Sequence, residues 1–308
     1  MTRWAAFDIG SNTVRCLVAD CPPGGPIAPI FYQRRVTRLG GGLTAEAGLT
    51  AAAMTRTLSA LREMVAELQP HQPVACRAVA TQAMRMAPNG PEFCQRIAAE
   101  TGIVVDIIAG SEEAQLSAAG IVSALSPMPS CCLFFDIGGG STEFGVLVDG
   151  RLGYFRSFPI GVVRLCEDYA DAPSRQPFID RILSELQADL QATDAGSALT
   201  AAGTVAVGTA GTVTTMAAVD MAMTTYDWRR VNNHRISGER LRTLQEQLAP
   251  LTPEERESVP GMEKGRGDLI VPGLQLVLSI LRVFGFSALT VSDFGLLEGV
   301  VLGLAGRN

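Results

Sequence analysis

Lysine is nearly absent from this sequence, since Lys264 is the only lysine among 25 basic residues and the rest are arginine. No GxxxxGK[ST] loop occurs either, which argues against a kinase with a P-loop. Codon bias in the genome is one explanation for the missing lysines, and the many alanines agree with it. Any phosphate site in this chain would have to use arginine guanidinium groups, backbone amides and metal ions.

The chain also lacks the spacing that marks a redox or zinc site, because none of its seven cysteines forms a CxxC pair. Most of them lie within apolar runs, so buried thiols in a reducing cytoplasm are favoured over a redox or metal role. The net charge of −6 gives no broad attraction for nucleic acid. A cytoplasmic protein with no nucleic-acid partner is therefore expected.

A long uninterrupted hydrophobic run is missing as well. The most apolar late stretch, 269–285, contains a proline, a glycine, a glutamine and an arginine, which indicates a buried helix and not a membrane span. The opening residues, MTRWAAFDIGSN, reach an aspartate too soon for a signal peptide with an apolar core. No membrane partner is expected.

What the sequence does have is a repeat. The letters FDIG stand at residues 7–10 and again at 135–138, each time at the end of an apolar run. Apolar periodicity and turn residues predict the element order βββαβαβα in both halves, with extra helices in the second. A chain of 308 residues that is 47% hydrophobic is long enough for two cores. We expect an α/β fold with an N-terminal lobe at 1–125 and a C-terminal lobe at 126–308; the C-terminal helix, 295–308, is a candidate to join the N-terminal lobe.

Each repeat opens with a strand that ends in aspartate and a glycine-bearing turn. Such a turn exposes unpaired backbone N–H groups that form an anion-binding hollow. Two such turns in equivalent places would hold a phosphate group from both sides. A third turn, GTAGT at 208–212, lies between a strand and a helix, so it is a phosphate site at a helix N-terminus, a close-packed turn, or both. The candidate phosphate-binding residues are Asp8, Gly10, Ser11, Asn12, Thr13, Gly138, Gly139, Gly140, Ser141, Thr142, Gly208, Thr209, Gly211 and Thr212.

Two carboxylates flank the second turn. Asp136 and Glu143 lie seven residues apart across GGGST, and the turn could bring both to one metal ion or one water. The alternative is that they are solvated, turn-forming residues. Mg²⁺ is the natural ion for such a pair, because it keeps several waters and bridges carboxylates to phosphate oxygens.

The duplicated arrangement resembles the actin-like superfamily of actin, hsp70 and sugar kinases, whose members bind phosphates in a cleft between the halves. Eight collinear stretches narrow this resemblance to the exopolyphosphatase and guanosine pentaphosphate phosphohydrolase (Ppx/GppA) family, in its short two-domain form. The resemblance runs in order from residue 7 to about 303, and the stretches read FDIGSNTVRCLV, LGGGL, AVATQAMRMAPNGPEF, IIAGSEEAQLSAAGI, FFDIGGGSTEF, SFPIGVVRL, VGTAGTVTTMAAV and PGMEKGRGDLIVPG.

The resemblance implies roles for individual residues. Glu113, the second glutamate of GSEEA, matches the family's general base, and Arg85 matches an arginine that contacts the phosphates. Asp136 and Glu143 match the Mg²⁺ and water side of the site. A glutamate in the first turn of a helix can instead complement the helix dipole or cap the helix. We favour this structural role for Glu112. Four more arginines fall in matching motifs, and each could equally be a surface or helix-pairing residue: Arg15, Arg38, Arg164 and Arg266.

The expected function is therefore an exopolyphosphatase that removes the terminal phosphoryl group of inorganic polyphosphate by metal-assisted water attack. A 5′-phosphohydrolase of guanosine pentaphosphate (pppGpp), with a link to the stringent response, is the alternative, because the phosphoanhydride chemistry is the same. Phe294 and Leu297 stand where the family often carries arginines, which keeps open a third possibility, a non-catalytic protein that binds alarmone or polyphosphate. No motif encodes the oligomeric state, but short family members often pair, so a homodimer is the expectation.

Overall fold

A computed structural model describes residues 2–22 and 25–306, and within it the chain folds into two compact units. Unit 1 comprises the described residues up to Ser123 together with those from Gly295 onward. Unit 2 is the continuous segment Ala124–Phe294. The chain thus leaves unit 1 after residue 123 and returns to it at residue 295.

Unit 1 is a five-stranded sheet with helices. Its strand order is β3-β2-β1-β4-β5, in which β1, β2 and β3 are antiparallel neighbours and β4 and β5 run parallel to β1; the elements are β1 (Arg3–Ile9), β2 (Thr13–Asp20), β3 (Ala28–Val36), α1 (Ala51–Leu68), β4 (Ala75–Ala80), α2 (Gln82–Met86), α3 (Gly90–Thr101), β5 (Val105–Ile107) and α4 (Gly110–Ser123). The central strand β1 is buried along most of its length, as its unbroken apolar run indicates. The edge strand β3 alternates exposed and partly buried residues, since only one of its faces packs on the core.

Unit 2 repeats this sheet and extends it. The order β8-β7-β6-β9-β11 matches that of unit 1, and β10 adds one more strand at the edge; the elements are β6 (Cys131–Ile137), β7 (Thr142–Val148), β8 (Arg151–Phe158), α5 (Val162–Glu167), α6 (Ala172–Gln191), α7 (Asp194–Ala198), β9 (Val205–Thr209), α8 (Ala210–Asp220), α9 (Trp228–Val231), β10 (Arg235–Ser237), α10 (Gly238–Leu248), α11 (Pro253–Glu257), α12 (Ile270–Phe284) and β11 (Ala288–Val291). The predicted fold class, a duplicated α/β fold, is confirmed. The short strand β10 was not expected, because three residues are too few to show a period.

The closing helix, α13 (Leu296–Leu304), belongs to unit 1, although the repeat pattern assigns it to the second half. It packs against α4 and against β1, β2 and β4. Contact with α4 is close enough to require glycine on both helices: a Cβ on Gly120 would lie 1.8 Å from the Gly295 oxygen, and a Cβ on Gly299 would lie 1.8 Å from the Leu116 oxygen. Glycine at both positions therefore allows the two helix backbones to touch.

Neither unit contains, in its described residues, a helix that combines the length and the apolar character needed to cross a membrane.

Candidate active site

The first hairpin, β1–β2, carries an open turn. The Gly10 N–H donates to the Thr13 oxygen at 3.0 Å and closes the turn. Among the described residues, no group accepts a hydrogen bond from the backbone N–H of Ser11 or of Asn12. These two amides therefore form a small hollow with the polarity that an anion requires.

Asp8 lies at the base of this turn and is 3% exposed. It stands opposite Arg15 in the β1–β2 register, and Arg15 donates to Asp8 Oδ2 from Nε at 2.8 Å and from a terminal nitrogen at 2.6 Å. The other carboxylate oxygen, Oδ1, is buried and has no hydrogen-bond partner among the described residues. A buried acceptor without a partner is rare in folded proteins and marks a place for a water, ion or ligand.

The second hairpin, β6–β7, has the same turn, but the residue opposite its aspartate carries a negative charge instead of a positive one. Gly138 N–H donates to the Ser141 oxygen at 2.9 Å, as Gly10 does in the first hairpin. Here the residue opposite the aspartate is Glu143, because the register pairs it with Asp136. Directly opposed residues share one face of a sheet with their Cβ atoms about 5 Å apart. Unit 1 thus neutralises its aspartate with an arginine, whereas unit 2 places two carboxylates side by side.

Glu143 is held in place by two hydroxyl groups. Ser141 Oγ donates to its Oε1 at 2.8 Å and Ser157 Oγ at 2.6 Å. Among the described residues, no group of three or more His, Cys, Asp or Glu side chains is arranged to bind a metal ion. The pair Asp136 and Glu143 nevertheless fits Mg²⁺, which is usually bound by one or two carboxylates, several waters and substrate phosphates.

The second turn is anchored by its carbonyl groups, which leaves its amides available. Val162 N–H donates to the Gly138 oxygen at 3.0 Å, and Val163 N–H to the Gly139 oxygen at 2.9 Å, so the start of α5 holds the turn. Among the described residues, nothing accepts from the backbone N–H of Gly139, Gly140 or Ser141. A Cβ on Gly140 would meet no atom within 4 Å, so the turn is open on that side.

The third turn, 208–212, joins β9 to the N-terminus of α8. The Ala210 φ angle is 69°, which is the left-handed region that residues with a side chain seldom adopt. The Arg266 guanidinium lies against the turn, because a Cβ on Gly211 would be 1.9 Å from its terminal nitrogen. Arg266 is itself held by Glu263, with Nε 3.0 Å from Oε2. An arginine and the first amides of a helix therefore meet at this turn, an arrangement that suits a phosphate group.

Three of the predicted phosphate-binding threonines have buried side chains, and two of these side chains support the turns. Thr142 is fully buried and its hydroxyl donates to the Ile160 oxygen. Thr209 is 3% exposed and its hydroxyl donates to the Phe294 oxygen at 3.2 Å. Thr212 is buried and its hydroxyl has no partner among the described residues. The hydroxyl groups of Thr142 and Thr209 are thus committed to the protein.

Glu113 and Arg85 contact each other in unit 1. Glu113 lies in the first turn of α4, and its Oε2 accepts from Arg85 at 3.2 Å. Arg85 also donates to the Ile108 oxygen at 2.7 Å, which fixes the guanidinium between β5 and α4. Both side chains are about one-third exposed, so a small solute can reach them. The neighbouring Glu112 has a separate role, because Arg77 binds it at 2.6 Å.

The two positions where the family often carries arginine are interior in this chain. Phe294 is 4% exposed, and its ring lies 5.3 Å from that of Trp228. Leu297 is 3% exposed and belongs to α13. Both residues therefore serve packing in this protein.

The duplicated α/β fold, in which each unit opens with an acidic residue and an amide-lined turn, defines the structural class of this protein. Solved structures of this class match the chain over its full length. The type II variant of the Aquifex aeolicus Ppx/GppA phosphatase aligns with a TM-score of 0.83 and 28% identity, over 98% of this chain and 99% of that one. An exopolyphosphatase from Cytophaga hutchinsonii aligns with a TM-score of 0.78 and 27% identity, over 99% and 98%.

The sequence comparison gives the family itself. The model of the Ppx/GppA phosphatase family matches residues 17–308. Exopolyphosphatase 2 of Mycobacterium tuberculosis is 34% identical over 323 residues, which cover 99% of each chain. The chain belongs to the Ppx/GppA phosphatase family, as its motifs predicted. The predicted enzyme class, a phosphoanhydride hydrolase, is confirmed.

Sequence reasoning missed the partners that hold the site residues. Arg15 was only one of several candidate arginines, yet it is the residue that binds Asp8. The signal was present, because a hairpin turn between Asp8 and Arg15 places residues seven apart opposite each other, as it does for Asp136 and Glu143. Ser157 could not be found in this way, since it reaches Glu143 from the next strand, β8.

Proposed function

We propose that this protein is an exopolyphosphatase that hydrolyses the terminal phosphoanhydride bond of inorganic polyphosphate and releases orthophosphate. The observation that carries the proposal is the β6–β7 hairpin, where two opposed carboxylates stand beside three backbone amides that have no acceptor among the described residues. The amides suit the oxygens of a phosphoryl group and the carboxylates suit a divalent cation. The identity to exopolyphosphatase 2 supports the choice of substrate.

The proposed roles follow from the chemistry of phosphoryl transfer, in which positioning and charge stabilisation dominate. Glu113 accepts a proton from the attacking water, whose oxygen bonds to the terminal phosphorus while the anhydride P–O bond breaks toward the shortened chain. Arg85 would orient Glu113 through the contact described above, and its guanidinium would stabilise phosphate charge. The amides of the turns at 10–13, 138–142 and 208–212 bind phosphoryl oxygens.

Mg²⁺ is the proposed cofactor, and Asp136 with Glu143 would hold it. When bound, the ion neutralises charge that develops on the phosphoryl oxygens. Ser141 and Ser157 keep the Glu143 carboxylate oriented through their hydroxyl groups. We also propose a cytoplasmic location, which buried thiols such as those of Cys16, Cys131 and Cys132 support, and a homodimer as the oligomeric state.

The test is phosphate release by the purified protein from polyphosphate and from pppGpp, each with and without Mg²⁺, compared as kcat/KM. We expect the higher kcat/KM with polyphosphate and no turnover without a divalent cation. A higher kcat/KM with pppGpp would assign the alternative activity, which the same family supports. Tight binding of either compound without phosphate release would instead indicate a sensor.

A further inference from the structure

Arg38 follows β3 in a loop that is built onto the first phosphate-binding turn. The backbone N–H groups of Thr37 and Arg38 both donate to the Asn12 oxygen, at 3.0 and 2.9 Å. Gly40 N–H donates to the Ser11 oxygen at 2.8 Å. The loop at 37–40 and the turn at 10–13 therefore form one hydrogen-bonded structure, in which the backbone of Arg38 lies beside the carbonyl groups of Ser11 and Asn12.

The backbone of Arg38 is held in a costly conformation. Its φ angle is 48°, in the left-handed region where a residue with a Cβ is disfavoured by about 1 to 2 kcal/mol. Its carbonyl oxygen accepts from Gly41 N–H at 2.9 Å, and the Arg56 side chain holds the preceding carbonyl of Thr37 at 3.0 Å. Strained residues of this kind are concentrated at ligand sites, where the surrounding structure fixes them.

The guanidinium of Arg38 is exposed and uncommitted. Among the described residues, no group accepts a hydrogen bond from it and no carboxylate lies within ion-pair distance. Other arginines of unit 1 differ in this respect: Arg15 binds Asp8, Arg77 binds Asp106 and Glu112, and Arg85 binds Glu113. Arg38 therefore combines a backbone fixed to the first turn with an exposed guanidinium, and a forked donor of this kind suits phosphate oxygens.

We propose that Arg38 binds the body of a polyphosphate chain, beyond its first three phosphates, and so makes the enzyme prefer long chains. This inference rests on the proposed exopolyphosphatase function. In this proposal the turn at 10–13 takes the reacting end, and the rest of the linear polyanion passes along the surface that carries Arg38. A cation beside the turn lowers the KM of substrates long enough to reach it and leaves the bond-breaking step unchanged, because the contact is the same in the ground and transition states.

The experiment compares the wild-type protein with Arg38→Gly, Arg38→Lys and Arg242→Ala on tripolyphosphate and on long-chain polyphosphate. Glycine suits the left-handed backbone, so Arg38→Gly removes the guanidinium without straining the loop. Arg242 is the matched control, an exposed arginine on α10 that has no ion-pair partner among the described residues. Thermal unfolding of each variant accompanies the kinetics.

For Arg38→Gly we expect the KM for long-chain polyphosphate to rise about fivefold, in the range of one exposed charge contact. The expected kcat and the KM for tripolyphosphate stay within about twofold, and Arg242→Ala matches the wild type. Arg38→Lys should recover part of the loss, and the salt dependence of KM should weaken in Arg38→Gly. An unchanged KM for long chains, or an equal loss on both substrates, would overturn the inference.

Failure of the proposed function gives a different result. If the wild-type protein releases no phosphate from polyphosphate, the proposed exopolyphosphatase function is rejected. The Arg38 inference is then tested by equilibrium binding of long-chain polyphosphate to the wild type and to Arg38→Gly. An at least threefold weaker binding by Arg38→Gly supports the inference, and equal binding or no binding rejects it.

Discussion

Two adjacent glutamates in α4 have different partners, and this difference makes them a matched pair. Glu113 contacts Arg85, whereas Glu112 is bound by Arg77. Glu113→Gln keeps a side-chain oxygen that can accept from Arg85 but cannot take a proton from water. We expect kcat to fall by about 10² to 10⁴, the usual contribution of a general base, while the substrate Kd changes little. Single-turnover kinetics and equilibrium binding would measure the two effects.

Glu112→Gln is the control for that substitution. It loses one surface ion pair and should keep kcat within about twofold, since an exposed pair contributes at most about 1 kcal/mol. Equal activity of the Glu113→Gln variant and the wild type would remove Glu113 from the role of base.

We expect the stability of unit 2 to depend on pH through Asp293. Burial raises the pKa of its carboxyl group from 3.8 to about 6; a hydrogen bond from Tyr226 opposes this shift, and the Glu263 charge adds to it. Because the folded-state pKa is raised, the stabilising effect of the neutral form is complete below about pH 4 and is lost as the pH rises through about 6. Asp293→Asn should therefore be more stable than the wild type at pH 8, by about 2 to 3 kcal/mol.

Urea unfolding of the two proteins at pH 5 and pH 8 would test this expectation. Asp149→Asn is the control, because Asp149 is exposed and its left-handed backbone suits asparagine equally well. A difference between Asp293→Asn and wild type that is the same at both pH values would contradict the titration of Asp293.

The sequence predicted which charged residues lie at the turns, but it did not predict the hydrogen bonds that the turn residues make. Asp136 and Glu143 were expected to come together, and the β6–β7 register places them opposite each other. The buried positions of Thr142 and Thr209 were not foreseeable, because their hydroxyl groups bind the carbonyls of Ile160 and Phe294, which are distant in sequence. Long-range contacts of this kind leave no local pattern.

At the scale of elements, strands were easier to predict than helix limits. The apolar runs of β1, β6 and β9 mark buried strands directly. The sequence predicts helical material at about 161–192, and the structure forms two helices there, α5 and α6, with a break that ends at the Asp171 cap. The sequence predicts a helix at about 266–284, whereas α12 begins at Ile270, because the residues before it form turns. Turns and caps depend on single hydrogen bonds, so their positions are less visible in a periodic pattern.

The contact between α4 and α13 depends on glycine. Gly299→Ala would place a Cβ 1.8 Å from the Leu116 oxygen, so the helices would have to separate. We expect a loss of about 2 to 3 kcal/mol in the free energy of unfolding of unit 1, because a packed interface absorbs an added methyl group poorly. Denaturant unfolding would measure it. Gly295→Ala is the control, since a Cβ there meets no atom within 4 Å, and an equal loss in both variants would refute the packing argument.

At the scale of the whole molecule, unit 1 is discontinuous and unit 2 is continuous in sequence. A chain that ends at Phe294 lacks α13, whose buried side chains cover β1, β2 and β4. We expect hydrogen exchange in this variant to accelerate throughout residues 25–123 and to remain slow in the core of residues 124–294. A chain that ends at Gly306 keeps α13 and should behave as the full protein does. Retained protection in 25–123 of the shorter variant would show that α13 is dispensable.

The return of α13 to unit 1 also sets the order in which the protein matures on the ribosome. Unit 2 can close as soon as its own 124–294 segment has emerged, but the first-made strands wait for Leu296–Leu304. Until then the nascent chain presents an uncovered apolar sheet, the kind of surface that chaperones recognise. The half that is translated first is therefore the last to become protected.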